Sequence, residues 1–346
     1  MNEDEYTERD PWQPFTLSDA YADRPPDQFI VSGLRKLPSL NIVYGAPGDL
    51  KSLLEADMAI CIAAGMEFLP PAPWKPGAKP YKTLQSPALW LDFDNGLNET
   101  HDRFAALANA RNLPVDTPIY YLSMPDPWLD ASKTDSINRV IRTTLMYGVK
   151  FIVIDNLLTV AGGIDENSSL MQQVMNNLKL LMKETGACID VIHHQRKSSG
   201  VGNARKGDAL RGHSCIEAAL TLALRVTREE GANGITLEST KTRGADVSKF
   251  AAAFTFEHKP GTQDLETAQF YGIPIIDDAS NSAIESAILS VLSVGSMNKS
   301  SLKAAVKEKL IKAGTNRISE EIDRLAEMGK IVCNHGQRTE RIYFLC

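Results

Sequence analysis

The chain has 346 residues, of which 43% are hydrophobic and 23% charged, an ordinary globular composition with room for one large domain and a small one. Its 23 glycines and 18 prolines exclude collagen-like and low-complexity chains. No apolar run approaches the roughly 18 to 20 residues that span a bilayer, and the acidic first ten residues argue against a signal peptide. Five scattered cysteines without a C-x-x-C pair argue against a disulfide framework or structural zinc site and favour a reducing, cytoplasmic compartment.

Charge is distributed unevenly along the chain. The net charge of −6 argues against a uniformly basic surface for nucleic acid. Residues 281–346 nevertheless contain ten lysines and arginines against seven acidic residues, so this tail is mildly basic and the rest of the chain is acidic. The difference predicts two modules with different partners.

Residues 1–36 are polar and interrupted by prolines, which predicts an N-terminal arm or lid. From residue 37 to 278, short apolar runs alternate with amphipathic stretches, which predicts an α/β domain whose mainly parallel sheet is covered on both faces. The predicted strands are 40–44, 88–93, 119–122, 151–154, 188–192, 219–226 and 235–237. The predicted helices are 50–65, 98–110, 136–147 and 169–185. Residues 69–86, with five prolines, are expected to form a loop and 260–281 a linker.

The tail has a pattern of its own. Amphipathic helices are predicted at 282–292, 300–313 and 318–328, followed by strands at 330–333 and 341–345 around a polar turn. Three helices followed by a hairpin predict a small winged-helix-like domain over 281–346.

A phosphate-binding loop is predicted where the first strand of the domain meets its first helix. Backbone N–H groups and a helix N-terminus in this context can surround a β-phosphate, Lys51 can reach the β/γ oxygens and Ser52 can hold Mg²⁺. Leu50 stands where G-x-x-x-x-G-K-[ST] has glycine, which leaves the loop conformation open and keeps a simple strand-to-helix turn as the alternative. The predicted residues for ATP are Gly45, Ala46, Pro47, Gly48, Asp49, Leu50, Lys51, Ser52 and Leu53.

Asp155 follows the four apolar residues 151–154. Such an aspartate lies at the carboxyl end of a buried strand, where doubly wound sheets bind ligands. Together with Lys51, about a hundred residues upstream, it is expected to act as a Walker B aspartate, with Ser52 and Asp155 on the Mg²⁺ side of the site. Alone, an aspartate after an apolar run is more often a turn former.

Four motifs follow one another in a characteristic order. They are the loop 45–52, the Asp-Asn-Gly at 94–96, the segment from Asp155 through Gly-Gly-Ile-Asp-Glu-Asn-Ser at 162–168, and the strand end His193-His194. In this combination they resemble the RecA-like ATPases of the RepA plasmid-helicase group, over roughly residues 29–257. The resemblance implies a RecA-like P-loop fold and an ATPase that assembles into a ring, commonly a hexamer.

The resemblance also implies roles for individual side chains. Asp94, where this group more usually has Glu, would activate the attacking water, with Asp92 as the alternative, and His194 would sense the γ-phosphate or that water. Lys241 and Arg243 would be delivered to the γ-phosphate of a neighbouring subunit, where an arginine stabilises charge in phosphoryl transfer. A plain turn at Asp94 and a solvated charged turn at Lys241 and Arg243 stay open as alternatives.

A basic loop is predicted after the His-His strand end. Residues 195–213 contain five basic residues and four glycines but no aromatic residue, so binding to single-stranded DNA would be made through its phosphates and would depend on salt. A surface loop without a ligand is the alternative. The candidate DNA contacts are Arg196, Lys197, Arg205, Lys206 and Arg211.

These features favour a cytoplasmic, ring-forming ATPase, most simply a replicative helicase of plasmid or phage type. An ATPase that acts as a DNA-binding mediator, loader or regulator without unwinding is the first alternative, and a DNA-binding regulator with a decayed ATPase core is the second. The C-terminal domain would add a contact to DNA or to a replication or mobile-element partner. Its third helix is mostly acidic, so protein docking rivals major-groove recognition there.

Overall fold

The computed structural model describes residues 14–165, 167–194, 214–228, 233–275, 281–310, 314–335 and 341–345. The chain divides into two compact units. The larger is formed by Met1–Pro71, Lys79–Ser248 and Ala252–Gly272, and the smaller consists mainly of Ile273–Cys346.

The N-terminal segment is only partly an arm. The short helix α1 (Leu17–Tyr21) buries no residue, and all of residues 14–28 are exposed. The strands β1 (Gln28–Val31) and β2 (Arg35–Leu37) then form an antiparallel hairpin whose Ile30, Val31 and Arg35 are fully buried. The prediction of an arm is therefore wrong for the hairpin, because Arg35 is buried in ion pairs with Asp190 and Glu55.

The larger unit alternates strands and helices, as predicted. Its elements are β3 (Ser39–Gly45), α2 (Lys51–Ala64), β4 (Ala88–Asp92), α3 (Leu97–Asn109), β5 (Ile119–Ser123), α4 (Thr134–Met146), β6 (Phe151–Asp155), α5 (Leu157–Val160), α6 (Met171–Thr185), β7 (Cys188–His194), α7 (Ser214–Ala219), β8 (Leu222–Arg228), β9 (Gly234–Thr242), β10 (Phe250–His258) and β11 (Leu265–Ile273). Residues 69–86 form a loop with isolated bridges, also as predicted. Residue 219, predicted as strand, ends α7 instead.

Within the described residues these strands form one nine-stranded sheet in the order β11-β10-β9-β8-β3-β7-β6-β4-β5. The run from β8 to β5 is parallel, and β9 pairs with β8 in the antiparallel sense. Helices α2 and α3 pack together, as do α4, α6 and α7. The central strands β3, β6 and β7 are buried almost throughout, which is why they read as continuous apolar runs.

The expected linker at 260–281 is wrong for residues 265–273, because Leu265–Ile273 is strand β11. Strands β10 and β11 extend the sheet beyond β9. In β11 buried and partly buried residues alternate, with Ala268 and Phe270 fully buried. An outer strand of this kind lacks the apolar run that makes central strands easy to recognise.

The smaller unit contains the five predicted elements and a short strand that was not predicted. Its elements are α8 (Asn281–Leu292), β12 (Met297–Asn298), α9 (Lys299–Lys309), α10 (Thr315–Glu327), β13 (Ile331–His335) and β14 (Arg341–Leu345). The three strands pair antiparallel in the order β12-β14-β13, and Ile288, Leu302, Val306, Ile318 and Ile322 form its core. A winged-helix-like domain over 281–346 stays a prediction.

Across the described part of the chain, no helix combines the length and the apolarity needed to cross a membrane.

Candidate functional site

Several strands of the parallel sheet end side by side at one edge. Gly45, the last residue of β3, lies opposite His194 at the end of β7. Asp155 ends β6 and lies opposite Asp92, the last residue of β4. Because β7 runs between β3 and β6, His194 lies between the predicted phosphate loop and Asp155. The fold thus brings the sequence-predicted residues of these strands to the carboxyl edge of the sheet, where such folds bind ligands.

The loop after β3 holds Leu50 in a backbone conformation that favours glycine, the residue that the motif has at this position. Leu50 lies in the left-handed region at φ 62° and ψ 22°, directly before α2, and Gly48 has φ +85°. A left-handed conformation costs a non-glycine residue roughly 1–2 kcal/mol. Leu50 therefore holds a strained conformation directly before Lys51, and the phosphate-binding role of the loop stays a prediction.

Asp49 holds the loop by hydrogen bonds, and Gly45 allows its backbone to pack closely. The backbone N–H of Ala46 donates to Asp49 Oδ2 at 2.7 Å, and the backbone N–H of Arg228, at the end of β8, donates to Asp49 Oδ1 at 3.2 Å. A Cβ at position 45 would lie 2.5 Å from the carbonyl oxygen of Val226 and 2.7 Å from Asp49 Oδ2. Glycine is thus required at 45 by close approach, and Asp49 ties the loop to the neighbouring strand.

Lys51 begins α2 and is only 6% exposed. Its ammonium group donates to the carbonyl oxygen of Ala46 at 2.8 Å. Burial lowers the pKa of Lys51, and the carboxylates of Asp49, Asp155 and Asp94 oppose this shift. The lysine therefore lies in a pocket of negative charge, with Asp155 and Asp94 close enough to act on it.

The environment of Asp155 fits a divalent cation. The carboxyl is buried and accepts a hydrogen bond from the Ser52 side chain, while its Oδ2 has no hydrogen-bond partner among the described residues. Burial raises the pKa of Asp155 to about 6, opposed by the bond from Ser52. A hydroxyl and a carboxylate are oxygen ligands of the kind that Mg²⁺ prefers beside a substrate phosphate. Ser52 and Asp155 would hold the ion, which supplies charge neutralisation on the phosphates.

The two aspartates at the end of β4 have different environments. Asp94 is exposed, and its charge acts on both Lys51 and Asp155, so it lies near both residues; its role in activating water stays a prediction. Asp92 is fully buried, and its two oxygens accept six hydrogen bonds from the following turn, α3 and β5. Burial acts to raise the pKa of Asp92, but the bonds from Ser123, Asn95, Asp94 and Thr100 outweigh it and lower the pKa to about 2. Asp92 has no capacity left to take a proton from water, so it is not an alternative to Asp94.

The two histidines at the end of β7 also differ. His193 is 1% exposed and belongs to the interior, whereas His194 is half-buried at the strand end beside Gly45. His194 therefore lies next to the predicted phosphate loop, and its role as a sensor stays a prediction. Lys241 and Arg243 are not at this edge. Thr242 pairs with Leu222, which in turn pairs with Asn41 near the start of β3.

Arg103 was not predicted and contributes to the site. It lies on α3, where its guanidinium pairs with Glu99 at 2.7 Å, and its charge lowers the pKa of Asp155 against the effect of burial. The spacing of Glu99 and Arg103 indicates only a helix-surface pair. The sequence signal that could have identified Arg103 was its position nine residues after Asp94, on the helix that follows the turn of Asp94. The five basic residues predicted to contact DNA lie outside the described residues.

A glycine-containing loop between a buried strand and a helix, with Lys51, Ser52 and Asp155 converging there, defines a P-loop ATPase core of RecA-like architecture. The comparison with families agrees. A model described as an AAA domain matches residues 6–200, which is more than half of the chain, and the protein belongs to that family. The match contains β3, α2, β4, β6 and β7, the elements that carry the site. No curated protein matches the sequence.

Proposed function

We propose that this protein is a ring-forming, ATP-driven DNA motor, most simply a replicative helicase of plasmid or phage type. P-loop ATPases of this family generally bind nucleotide with Mg²⁺, and the residues that would do so here are assembled within one chain. In a single chain, Lys241 and Arg243 lie away from the predicted phosphate loop. A second copy is therefore part of the proposal.

The register of the sheet is the observation that supports the need for a second copy. Arg243 follows β9 at the level of residues 40–41 of β3, whereas the phosphate loop begins at Gly45. With about 3.3 Å per residue along a strand, these points are roughly 13 Å apart at opposite ends of the sheet. Arg243 therefore cannot stabilise a γ-phosphate held by Lys51 of the same chain, and a neighbouring subunit is the geometry in which it could act.

The case for DNA rests on the composition of residues 195–213, which follow directly from the sensor strand β7. If the residues after His194 bind DNA phosphates, strand β7 would couple the nucleotide state of the site to DNA binding. The smaller unit is a weaker candidate for binding DNA, because Arg324 of α10 is already bound to Glu321 at 2.6 Å and to Glu285 at 3.1 Å. The role of this unit would be to bind a protein partner, or phosphates through α9.

An ATPase that acts as a mediator, loader or regulator without unwinding is the competing function. The paired Arg324 favours it, since the pairing removes a cation from the helix that would read a DNA groove. Strand displacement on a forked duplex with ATP separates the two functions: a helicase releases the strand and a mediator does not.

The direct test measures ATP turnover of the full chain with and without single-stranded DNA, and its mass in solution with ATP. We expect turnover that rises with DNA and a ring of several subunits. Lys51→Ala should abolish turnover and keep the fold, because Lys51 serves phosphates, whereas Lys150→Ala, which changes a lysine at the opposite end of β6 from Asp155, should not abolish it. Turnover by Lys51→Ala close to wild type would refute the phosphate loop, and a monomer with full turnover would refute the ring.

A further inference from the structure

Asp92 and the turn that follows it form the most completely bonded polar cluster of the described residues at the carboxyl edge. Oδ1 of Asp92 accepts from the backbone N–H of Asp94 at 3.1 Å and of Asn95 at 3.0 Å, and from the Asn95 side chain at 3.0 Å. Oδ2 accepts from the backbone N–H of Gly96 at 2.9 Å and from the hydroxyls of Thr100 at 2.9 Å and Ser123 at 2.7 Å.

These bonds determine where residue 94 is. Three successive backbone N–H groups, those of residues 94 to 96, point at one carboxylate, which fixes the turn and provides partners for the start of α3, whose N-cap residue Gly96 has no side chain to do so. The preceding residue is also fixed, since the Phe93 N–H donates to the carbonyl oxygen of Asp155 at 2.8 Å. The turn that carries Asp94 is thus tied to the strand of the metal-binding aspartate on one side and to Asp92 beneath it.

We propose that Asp92 is the positioning residue of the site: its carboxylate holds the Asp94 turn, and thereby sets the position of the Asp94 carboxylate over Lys51 and Asp155. The inference rests on the proposed ATPase function, in which Asp94 activates water. Asp92 itself is fully buried and would act only through that turn. The same bonds hold the N-terminal turn of α3 and therefore also orient Arg103, two turns further along that helix.

Replacement of Asp92 by asparagine keeps the shape of the side chain but turns one acceptor oxygen into a donor. That donor would face the N–H groups of Asp94 and Asn95 if it replaces Oδ1, or the Gly96 N–H if it replaces Oδ2, so the turn must shift. Misplacement of a reacting group by about 1 Å reduces turnover about a hundredfold. We therefore expect Asp92→Asn to lower kcat at least tenfold while nucleotide affinity, measured with a fluorescent ATP analogue, changes less than twofold, because the phosphate loop is untouched.

A double-mutant cycle shows whether Asp92 acts through Asp94. In an Asp94→Asn background, adding Asp92→Asn should reduce turnover by less than about twofold further. The matched control is Asp130→Asn: Asp130 holds a turn after β5 by accepting from the backbone and hydroxyl of Ser132, and pairs with Lys133, and it is not among the residues to which a role in the site is assigned. It should leave kcat and the cycle unchanged. Losses that multiply in the double variant, or an unchanged kcat in Asp92→Asn, would overturn the proposal.

A second measurement needs no activity. Hydrogen exchange of the amides of residues 94–96 in the nucleotide-free protein should become at least tenfold faster in Asp92→Asn and stay unchanged in Asp130→Asn. Unchanged exchange refutes the holding role even if the protein is an ATPase, whereas faster exchange in a protein that never hydrolyses ATP refutes the proposed function alone. If Asp92→Asn does not fold, Ser123→Ala, which removes one bond to Oδ2, should show a smaller loss of kcat at unchanged affinity, and no loss would overturn the proposal.

Discussion

At the scale of single residues, Leu50 adopts a backbone conformation that is unfavourable for a residue with a side chain. Its left-handed φ of 62° requires energy that packing of the rest of the loop supplies. The strain lies next to Lys51 and Ser52, the residues whose backbone N–H groups begin α2. Residue 50 is thus a place where stability and function can be separated by mutation.

We expect Leu50→Gly to raise the free energy of unfolding by up to about 1 kcal/mol, since glycine adopts this conformation without steric cost, and to retain nucleotide binding. Leu50→Val should lower it, because a β-branched residue is poorly tolerated at positive φ. Urea unfolding and ATP turnover of both variants give the measurement. A less stable Leu50→Gly would mean that the leucine side chain contributes more by packing than its backbone loses.

Asp155 offers a second trade between stability and function. Burial raises the pKa of Asp155 to about 6, so its charged form is disfavoured at neutral pH, and the uncharged Asp155→Asn should stabilise the nucleotide-free protein by about 1–2 kcal/mol while abolishing Mg²⁺-dependent hydrolysis. Thermal unfolding with and without Mg²⁺ and ATP is the measurement, and the exposed Asp94→Asn is the control, with little change in stability. An unfolded Asp155→Asn would instead assign Asp155 a structural role.

At the scale of elements, the hairpin β1–β2 is held by charge as well as by its apolar residues. The guanidinium of Arg35 pairs with Asp190 of β7 and, at 3.4 Å, with Glu55 of α2, and all three side chains are fully buried. Burial raises the pKa of Glu55 well above its usual value, and the neighbouring Asp190 adds to that shift. The hairpin is thereby joined both to the helix that begins at Lys51 and to the strand that ends at His194.

Removal of the Arg35 guanidinium should strongly destabilise the protein. Arg35→Met leaves two buried carboxyls without their partner, and we expect a loss of about 3–5 kcal/mol of unfolding free energy. Tyr21→Ala, in the helix α1 that buries nothing, should change stability by less than about 0.5 kcal/mol. Chemical denaturation of both variants decides the point: equal, small effects would show that the hairpin packs without its ion pair.

At the scale of the whole molecule, the predicted ring depends on Arg243. In the single chain its guanidinium donates to the carbonyl oxygen of Ala218 at the end of α7. If it acts on a neighbour, Arg243→Ala should bind ATP normally and hydrolyse it poorly, by roughly 10³-fold or more. Mixed with Lys51→Ala, it should regain activity, since some interfaces then combine an intact Lys51 with an intact Arg243.

The control for mixing is Arg142→Ala, which changes an exposed arginine of α4 and should hydrolyse ATP normally alone. Mixed assembly is followed by differently tagged subunits that purify together. Mixed rings without any recovered turnover would count against an arginine supplied by the neighbour.

The segment 195–213, which is predicted to bind DNA, also belongs to this scale. Replacing Arg196, Lys197, Arg205 and Lys206 by alanine should weaken single-strand binding and reduce the slope of log K against log salt by about 0.7 for each phosphate that is no longer bound. Basal turnover should change little, because none of these residues is predicted to touch the nucleotide. A chain that ends near Ile276 is the comparison. If the loop variant keeps its slope while the shortened chain does not bind, the DNA site lies in the tail.

The sequence alone determined the features that depend on neighbours along the chain. Apolar runs ending in Gly45, Asp155 or His194 predicted central strands and their functional ends, and helical periodicity predicted the elements of the tail. Tertiary structure decided everything that depends on partners far away. Arg35 is buried because Asp190, 155 positions later, neutralises it, and β11 is a strand because β10 provides an edge for it. Likewise Asp92 and Asp94 differ because β4 ends at Asp92, whose buried carboxylate accepts the N–H groups of the following turn, whereas Asp94 lies in that turn and is exposed.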